Sequence, residues 1–100
     1  MKSLVIRQAV LADLDDLTQV FDQYRQFQGK APDAKACRAF LRERFDHDES
    51  IVFLALLDGQ PVGMAQLYPS FSSTALARVF ILNDLFVSEA GRRAGVATAL

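Results

Sequence analysis

The sequence predicts one compact α/β domain whose sheet contains an antiparallel hairpin. Two observations supply the helices: apolar residues recur at spacings of three and four between positions 14 and 27, and a second helical segment spans about 32–45. A third supplies the sheet, because three extended segments lie between positions 51 and 87 and Asp58-Gly59 joins the first two. The chain has 100 residues, 51% hydrophobic and 23% charged, enough for one core and too few for several. No repeat, low-complexity stretch or composition shift marks a linker, so residues 1–100 read as a single unit.

Residues 4–9 open with Leu-Val-Ile, a β-branched apolar start that predicts a short strand paired inside a sheet. Asp13 then stands where a helix N-cap belongs, with Asp15 and Asp16 placing carboxylates against the exposed amides of the first turn. Leu14, Leu17, Val20, Phe21, Tyr24 and Phe27 form one stripe, expected to be buried, and Gly29 stops the helix. The second helix begins near Pro32-Asp33 with Ala36, Cys37, Phe40, Leu41 and Phe45 inward. Residues 46–50 are polar and aperiodic, a solvated loop; His47 with two acids is a weak start for a metal site. Residues 51–57 are all apolar, as in a strand covered on both faces. Residues 61–68 return as its hairpin partner, 69–73 read as a connection, and 78–87 form another long strand. A helix is expected after Gly95, and the chain stops before that helix could cover the sheet.

Eleven Lys and Arg against twelve Asp and Glu leave a net charge of -1, with no block of one sign. That balance argues against nucleic acid or an anionic membrane as the main partner. The one cysteine, Cys37, cannot close an internal disulfide, and one histidine with one cysteine does not make a structural zinc site. The apolar run 4–6 is too short for a signal peptide or a membrane span, so the expectation is a cytoplasmic protein without a metal. Cys37 sits at helical spacing with Phe40 and Leu41 and has no adjacent His to activate it, which favours a buried thiol over a nucleophile.

The informative segment is 85–97, where an apolar strand runs into a basic, small-residue turn and then a helix. Backbone amides at such a turn can converge on a phosphate, and Gly95 and Ala97 leave the backbone approachable. Arg92 and Arg93 add positive charge; a solvated basic turn is the plainer alternative. Val87, four residues, then Arg92-Arg93-Ala94-Gly95-Val96-Ala97 resembles the acyl-CoA pyrophosphate loop of the GNAT superfamily of N-acyltransferases. The family form is Gln or Arg, two residues, Gly, one residue, then Gly or Ala, and Arg92, Gly95 and Ala97 meet it. The leading helices, the hairpin and the long strand match the family's first half, so the resemblance covers nearly the whole chain. Ser88 stands where family members often have Pro, and Arg93 or Ala97 where they often have Gly.

The resemblance implies a mixed, mostly antiparallel sheet whose fourth strand splays from a fifth to admit the pantetheine arm of acetyl-CoA. The backbone of Phe86 and Val87 would pair with pantetheine amides, and amides of Arg92, Arg93, Ala94, Gly95, Val96 and Ala97 would hold the pyrophosphate. It also implies direct attack of an acceptor amine on the thioester. Asp84 is the candidate to orient or deprotonate that amine, directly or through water; a carboxylate that caps a bulge or binds a neighbouring side chain is the other reading. Asn83 and Tyr68 are candidates for the acceptor pocket, whereas Tyr24 falls on the buried stripe. Polyamine-acetylating relatives tend to carry an acidic pair where this chain has Asn83-Asp84, so one charge is missing for a polycation. The tyrosine that many family members use as the acid comes from a helix after residue 100.

The leading expectation is therefore the N-terminal part of an acetyl-CoA-dependent N-acetyltransferase acting on a small amine or a protein amino group. The rivals are a GNAT-like module that binds CoA without turnover, and a small α/β phosphate-binding interaction domain. Residues 1–100 alone are expected to aggregate, stay partly molten or borrow cover by homodimerising, and to acetylate nothing, because apolar strands lack cover. Sedimentation, chemical denaturation and a CoA-release assay check this; a cooperative, active monomer would refute it.

Overall fold

The computed structural model describes residues 3–92 and 95–100. Strands β1 (Leu4–Gln8), β2 (Ile51–Leu57), β3 (Gln60–Ser72) and β4 (Ala77–Val87) form one sheet in chain order, and each neighbouring pair is antiparallel. Helices α1 (Leu14–Phe27) and α2 (Ala34–Asp46) lie on one side, and the short α3 (Glu89–Arg92) and α4 (Val96–Ala99) follow β4. The α/β class expected from the sequence is the class observed.

Two apolar clusters divide the interior. Leu14, Leu17, Val20 and Phe21 of α1 pack with Leu41 and Cys37 of α2 against Val52, Leu54, Met64 and Phe86 of the sheet. On the opposite face Ala55, Leu57, Val62 and Val87 enclose Val96, so β2 is filled from both sides as its composition suggested. Gly91 seats α3 there: a Cβ at that position would stand 2.8 Å from Val87 Cγ1 and 3.1 Å from Val62 Cβ, closer than carbon atoms pack.

Several local expectations need correction. Asp13 does not cap α1 through its side chain. A 3-10 turn, Leu11–Asp13, precedes the helix, and the Asp13 carboxylate turns back to accept two 2.6 Å hydrogen bonds from the Arg7 guanidinium and one from the Val10 amide. A paired charge on β1 outcompetes one helix amide for the carboxylate. The stripe on α1 is buried from Leu14 to Phe21, but Tyr24 is only half-buried and Phe27 is 70% exposed. At the last turn of the helix the Phe27 ring lies against Phe86, with ring centroids 6.0 Å apart, and against the Arg92 guanidinium, and is otherwise largely in solvent. Along α2, whose Asp33 cap accepts from the Ala36 amide, Cys37 and Leu41 are buried whereas Ala36 and Phe40 are exposed. That helix rests on α1 rather than on the sheet, so its buried line is narrow.

The hairpin turn is as read: Asp58 and Gly59 both have positive φ, 51° and 80°, the twist that joins antiparallel strands through two residues. The return strand is longer than expected. Residues 69–72 continue β3, leaving the connection to residues 73–76. The last pairing of β2 with β3 is Ile51 with Leu67, so beyond it one edge of β3 is free and Pro69 can sit in the strand without breaking a ladder on that side. A turn of helix, α3, also replaces part of what the sequence suggested was simply a basic turn.

Two bulges interrupt the ladders. Ala55 pairs with Gly63 and Leu56 with Pro61, leaving Val62 extra; Gln66 pairs with Asp84 and Leu67 with Leu82, leaving Asn83 extra. The second sets up the site.

Arg7 holds the Asp13 carboxyl below its ordinary value, chiefly through their hydrogen bonds and then through the Val10 amide and the guanidinium charge, against the opposing effect of burial. A lowered folded-state value means that this stabilisation is present above the unfolded-state pKa and is lost as pH falls through the folded-state one. Asp13→Asn should therefore lower the melting temperature at neutral pH, with the difference from the parent shrinking as pH falls through the range where the folded-state Asp13 carboxyl takes up its proton. Thermal melts across that range check it; a pH-independent difference would contradict the ion pair's role.

Candidate functional site

The bulge at Asn83 changes which residues of β4 face α1. Side chains alternate along a strand, so one extra residue moves Asp84 onto the same face as its partner Gln66. Asp84 is buried, 7% exposed, and its Oδ2 accepts a hydrogen bond from Gln66 Nε2 at 3.0 Å. Asn83, at the bulge, is exposed.

Two phenols from distant parts of the chain come close to this carboxylate. Burial raises the pKa of Tyr24, the Asp84 charge raises it further, and a hydrogen bond from Gln28 Nε2 opposes the shift. Tyr68 on β3 is raised in the same way, by burial first and then by Asp84, with Arg44 of α2 pulling down. Both phenols thus hold their protons through neutral pH and can donate hydrogen bonds. The Tyr24 ring also packs on Phe86, with centroids 5.6 Å apart. Reading Tyr24 as core from its periodicity was therefore incomplete: its ring packs on the core, and its hydroxyl belongs to the polar cluster around Asp84.

From Asp84 the strand runs through Phe86 and Val87, both buried, into the Ser88 corner, where the Ser88 amide donates to Val62 O at 2.8 Å. Arg92 is held rather than free. Its Nε donates to Val87 O at 3.1 Å, and its guanidinium lies 5.3 Å from the centre of the Phe27 ring. Gly95 has φ 71°, is exposed, and has nothing within 4 Å of where a Cβ would stand. Val96 is wholly buried and Ala97 is exposed, so the first anchors α4 and the second faces outward. Arg93 and Ala94 lie outside the described residues. An open cleft of about 1070 Å³ adjoins this corner, lined among others by Gln23, Phe27, Pro61, Phe86, Ser88 and Glu89.

The outer edge of β4 pairs with no strand among the described residues, and Val79, Phe80, Ile81, Leu82 and Leu85 along it are exposed. A free strand edge can hydrogen-bond an extended ligand carrying amides.

The pattern of the acetyltransferase (GNAT) family matches residues 14–100. This chain belongs to that family. It is 42% identical over 90 residues to the uncharacterized N-acetyltransferase YhfO of Bacillus subtilis, covering 90% of this chain and 60% of that protein. A probable acetyltransferase of Haemophilus influenzae is 33% identical over 89 residues, covering 88% and 61%. The crystal structure of a probable acetyltransferase superimposes with a TM-score of 0.89 at 46% identity, over 96% of this chain and 65% of that one. The fold alone is shared, at 23% identity and a TM-score of 0.78, with an aminoglycoside N-acetyltransferase, AAC(6')-Iy, solved in complex with CoA; the match covers all of this chain and 65% of that one. The GNAT chain described here thus spans about three-fifths of the length of its curated relatives.

Other residues weighed from the sequence lie apart from this cluster. Cys37 is buried between Asp22 and Arg25, and burial pushes its thiol up, away from the thiolate. His47 is exposed and donates from Nδ1 to Glu43 O at 2.9 Å. Among the described residues no group of three or more His, Cys, Asp or Glu is arranged to hold a metal ion. No helix there is long and apolar enough to cross a membrane. Sequence reasoning missed Gln66, an amide set between apolar residues of β3. It also missed the stacking of Arg92 on Phe27, for which the sequence carries no signal.

An alkaline titration followed by tyrosine absorbance tests the cluster. In Asp84→Asn the tyrosines that ionise late should ionise at lower pH, because a negative charge that opposes phenolate formation is gone. An unchanged curve would show that the carboxylate and phenols do not interact.

Proposed function

We propose that the protein acts as an N-acetyltransferase that moves an acetyl group directly from acetyl-CoA to a primary amine of a small molecule or a protein. The observation that carries this reading is one continuous feature: a strand with a free edge, β4, bears a buried carboxylate, Asp84, and runs into a turn whose Gly95 is open and left-handed. These residues suit an acyl-CoA. The edge at Phe86 and Val87, unpaired among the described residues, supplies peptide groups for the pantetheine amides, and amides of the turn at Gly95, with those of Val96 and Ala97, supply N–H donors for the pyrophosphate. Arg92, engaged with Val87 O and Phe27, contributes charge near the anion and stiffens the corner.

The thioester supplies an activated acyl group and a thiolate leaving group. The amine must meet it neutral, since an ammonium has no lone pair. Asp84 holds the incoming ammonium and takes its proton, directly or through water, while Tyr68 and Asn83 line the approach of the acceptor. The nitrogen then bonds to the acyl carbon, the carbon–sulfur bond breaks, and the departing thiolate takes up the proton that the nitrogen sheds as it becomes an amide, so CoA leaves as the thiol. The missing second acid beside Asp84, where Asn83 stands, favours an acceptor with one ammonium over a polycation. The balanced charge of the chain argues against nucleic acid or an anionic membrane as partner, and its lone, buried Cys37 suits the cytoplasm.

Three substitutions test the reading in the full-length protein. Gly95→Glu should lower CoA affinity by at least about tenfold, ~1.4 kcal/mol, by setting a carboxylate against the pyrophosphate. Gly95→Asn, which tolerates left-handed backbone, separates that repulsion from strain. Equal calorimetric affinity in wild type and Gly95→Glu would remove the acyl-CoA site from this turn. Asp84→Asn should reduce turnover most at low pH and with amines of high pKa, leaving CoA affinity nearly unchanged. A wild-type rate and pH profile would make Asp84 structural, and CoA binding without turnover in the parent would favour a binding module.

A further inference from the structure

Gln66 is the polar exception on an apolar stretch of β3. Its neighbours Met64, Ala65 and Leu67 are apolar, and its own side chain is wholly buried. The amide is only half satisfied: Nε2 donates to Asp84 Oδ2, while Oε1 is buried and has no hydrogen-bond partner among the described residues. A leucine or methionine of similar volume would fill the same space with no orphaned oxygen, so stability does not explain the residue. Its geometry toward Asp84 does. The two residues are direct partners across the ladder, and the extra residue at Asn83 puts both side chains on the α1 face. The amide has one usable orientation, because turned over it would aim Oε1 at the carboxylate.

We propose that Gln66 is a positioning residue for the transfer reaction: its amide holds Oδ2 of Asp84, leaving Oδ1 directed to the acceptor amine and the phenols of Tyr24 and Tyr68. This rests on the reading of Asp84 as the carboxylate that meets the amine. A buried carboxylate without a fixed donor would swing between the two phenols and present the amine with a varying geometry. The orphaned Oε1 is the cost of an amide whose other half is committed to the carboxylate.

The test is a double-mutant cycle in the full-length protein with Gln66→Leu, Asp84→Asn and the pair, read by amine kcat/KM, acetyl-CoA affinity, melting temperature and tyrosine titration. Gln66→Leu should reduce amine kcat/KM about tenfold or more. It should leave acetyl-CoA affinity unchanged and the melting temperature equal or higher. In the Asp84→Asn background it should cost nothing further. Equal losses in both backgrounds, or a fall in melting temperature and acetyl-CoA affinity parallel to activity, would overturn the proposal. The tyrosine titration separates its failure from failure of the functional reading. If the parent transfers no acetyl group, Gln66→Leu must still shift the tyrosine curve in the parent and not in Asp84→Asn; a curve unmoved in both would refute the positioning role.

Discussion

One extra residue in β4 organises the polar cluster of this chain. Continuing the register of the distal hairpin, where Leu67 faces Leu82, would pair Gln66 with Asn83 and turn Asp84 to the opposite face beside Ala65. The bulge reverses that parity. Asp84 then faces Gln66 and α1, and Phe86 joins the apolar cluster under Tyr24. Bulges commonly re-aim side chains near functional sites, and here the re-aimed side chain is a carboxylate that meets the buried Gln66 among apolar residues.

The rest of the fold supports that placement from both faces. Leu17 and Val20, fully buried, press α1 onto Leu54 and Met64 while Leu41 packs α2 against α1, which sets the height of Tyr24 above β4. On the other face Val96 and Val62 close against Val87, and the absent side chain of Gly91 lets α3 come down to the strand end. The direction in which the backbone leaves β4 is thus set by packing on one side, while the polar cluster around Asp84 sits on the other. The Arg7–Asp13 pair belongs to the same frame, since it ties β1 to the entry of α1.

The cluster around Asp84 departs from the apolar packing that surrounds it. Around Asp84 two phenols are pushed toward their protonated forms, and an amide oxygen goes without a partner. None of these would be selected for stability in a sheet this apolar. Along β4 the exposed Phe80, Ile81 and Leu82 likewise keep apolar surface in water, next to a backbone edge that has no strand partner among the described residues.

What the sequence determined by itself was periodic or punctuated. Three-and-four spacing named α1 and α2, the unbroken apolar run named β2, Asp58-Gly59 placed the hairpin, and the order Arg92, Gly95, Ala97 after a strand pointed to the family. Those signals are local, because backbone geometry repeats over a few residues and leaves its period in the sequence. Burial at the ends of elements was not legible, as Phe27 and Phe40 show: whether an apolar residue is covered depends on where the facing element stops. Nor was the meeting of Tyr24, Gln66, Tyr68 and Asp84, drawn from one helix and two strands. Their approach is set by strand register and a one-residue bulge, and register is decided by pairing between distant segments, which no window of sequence contains.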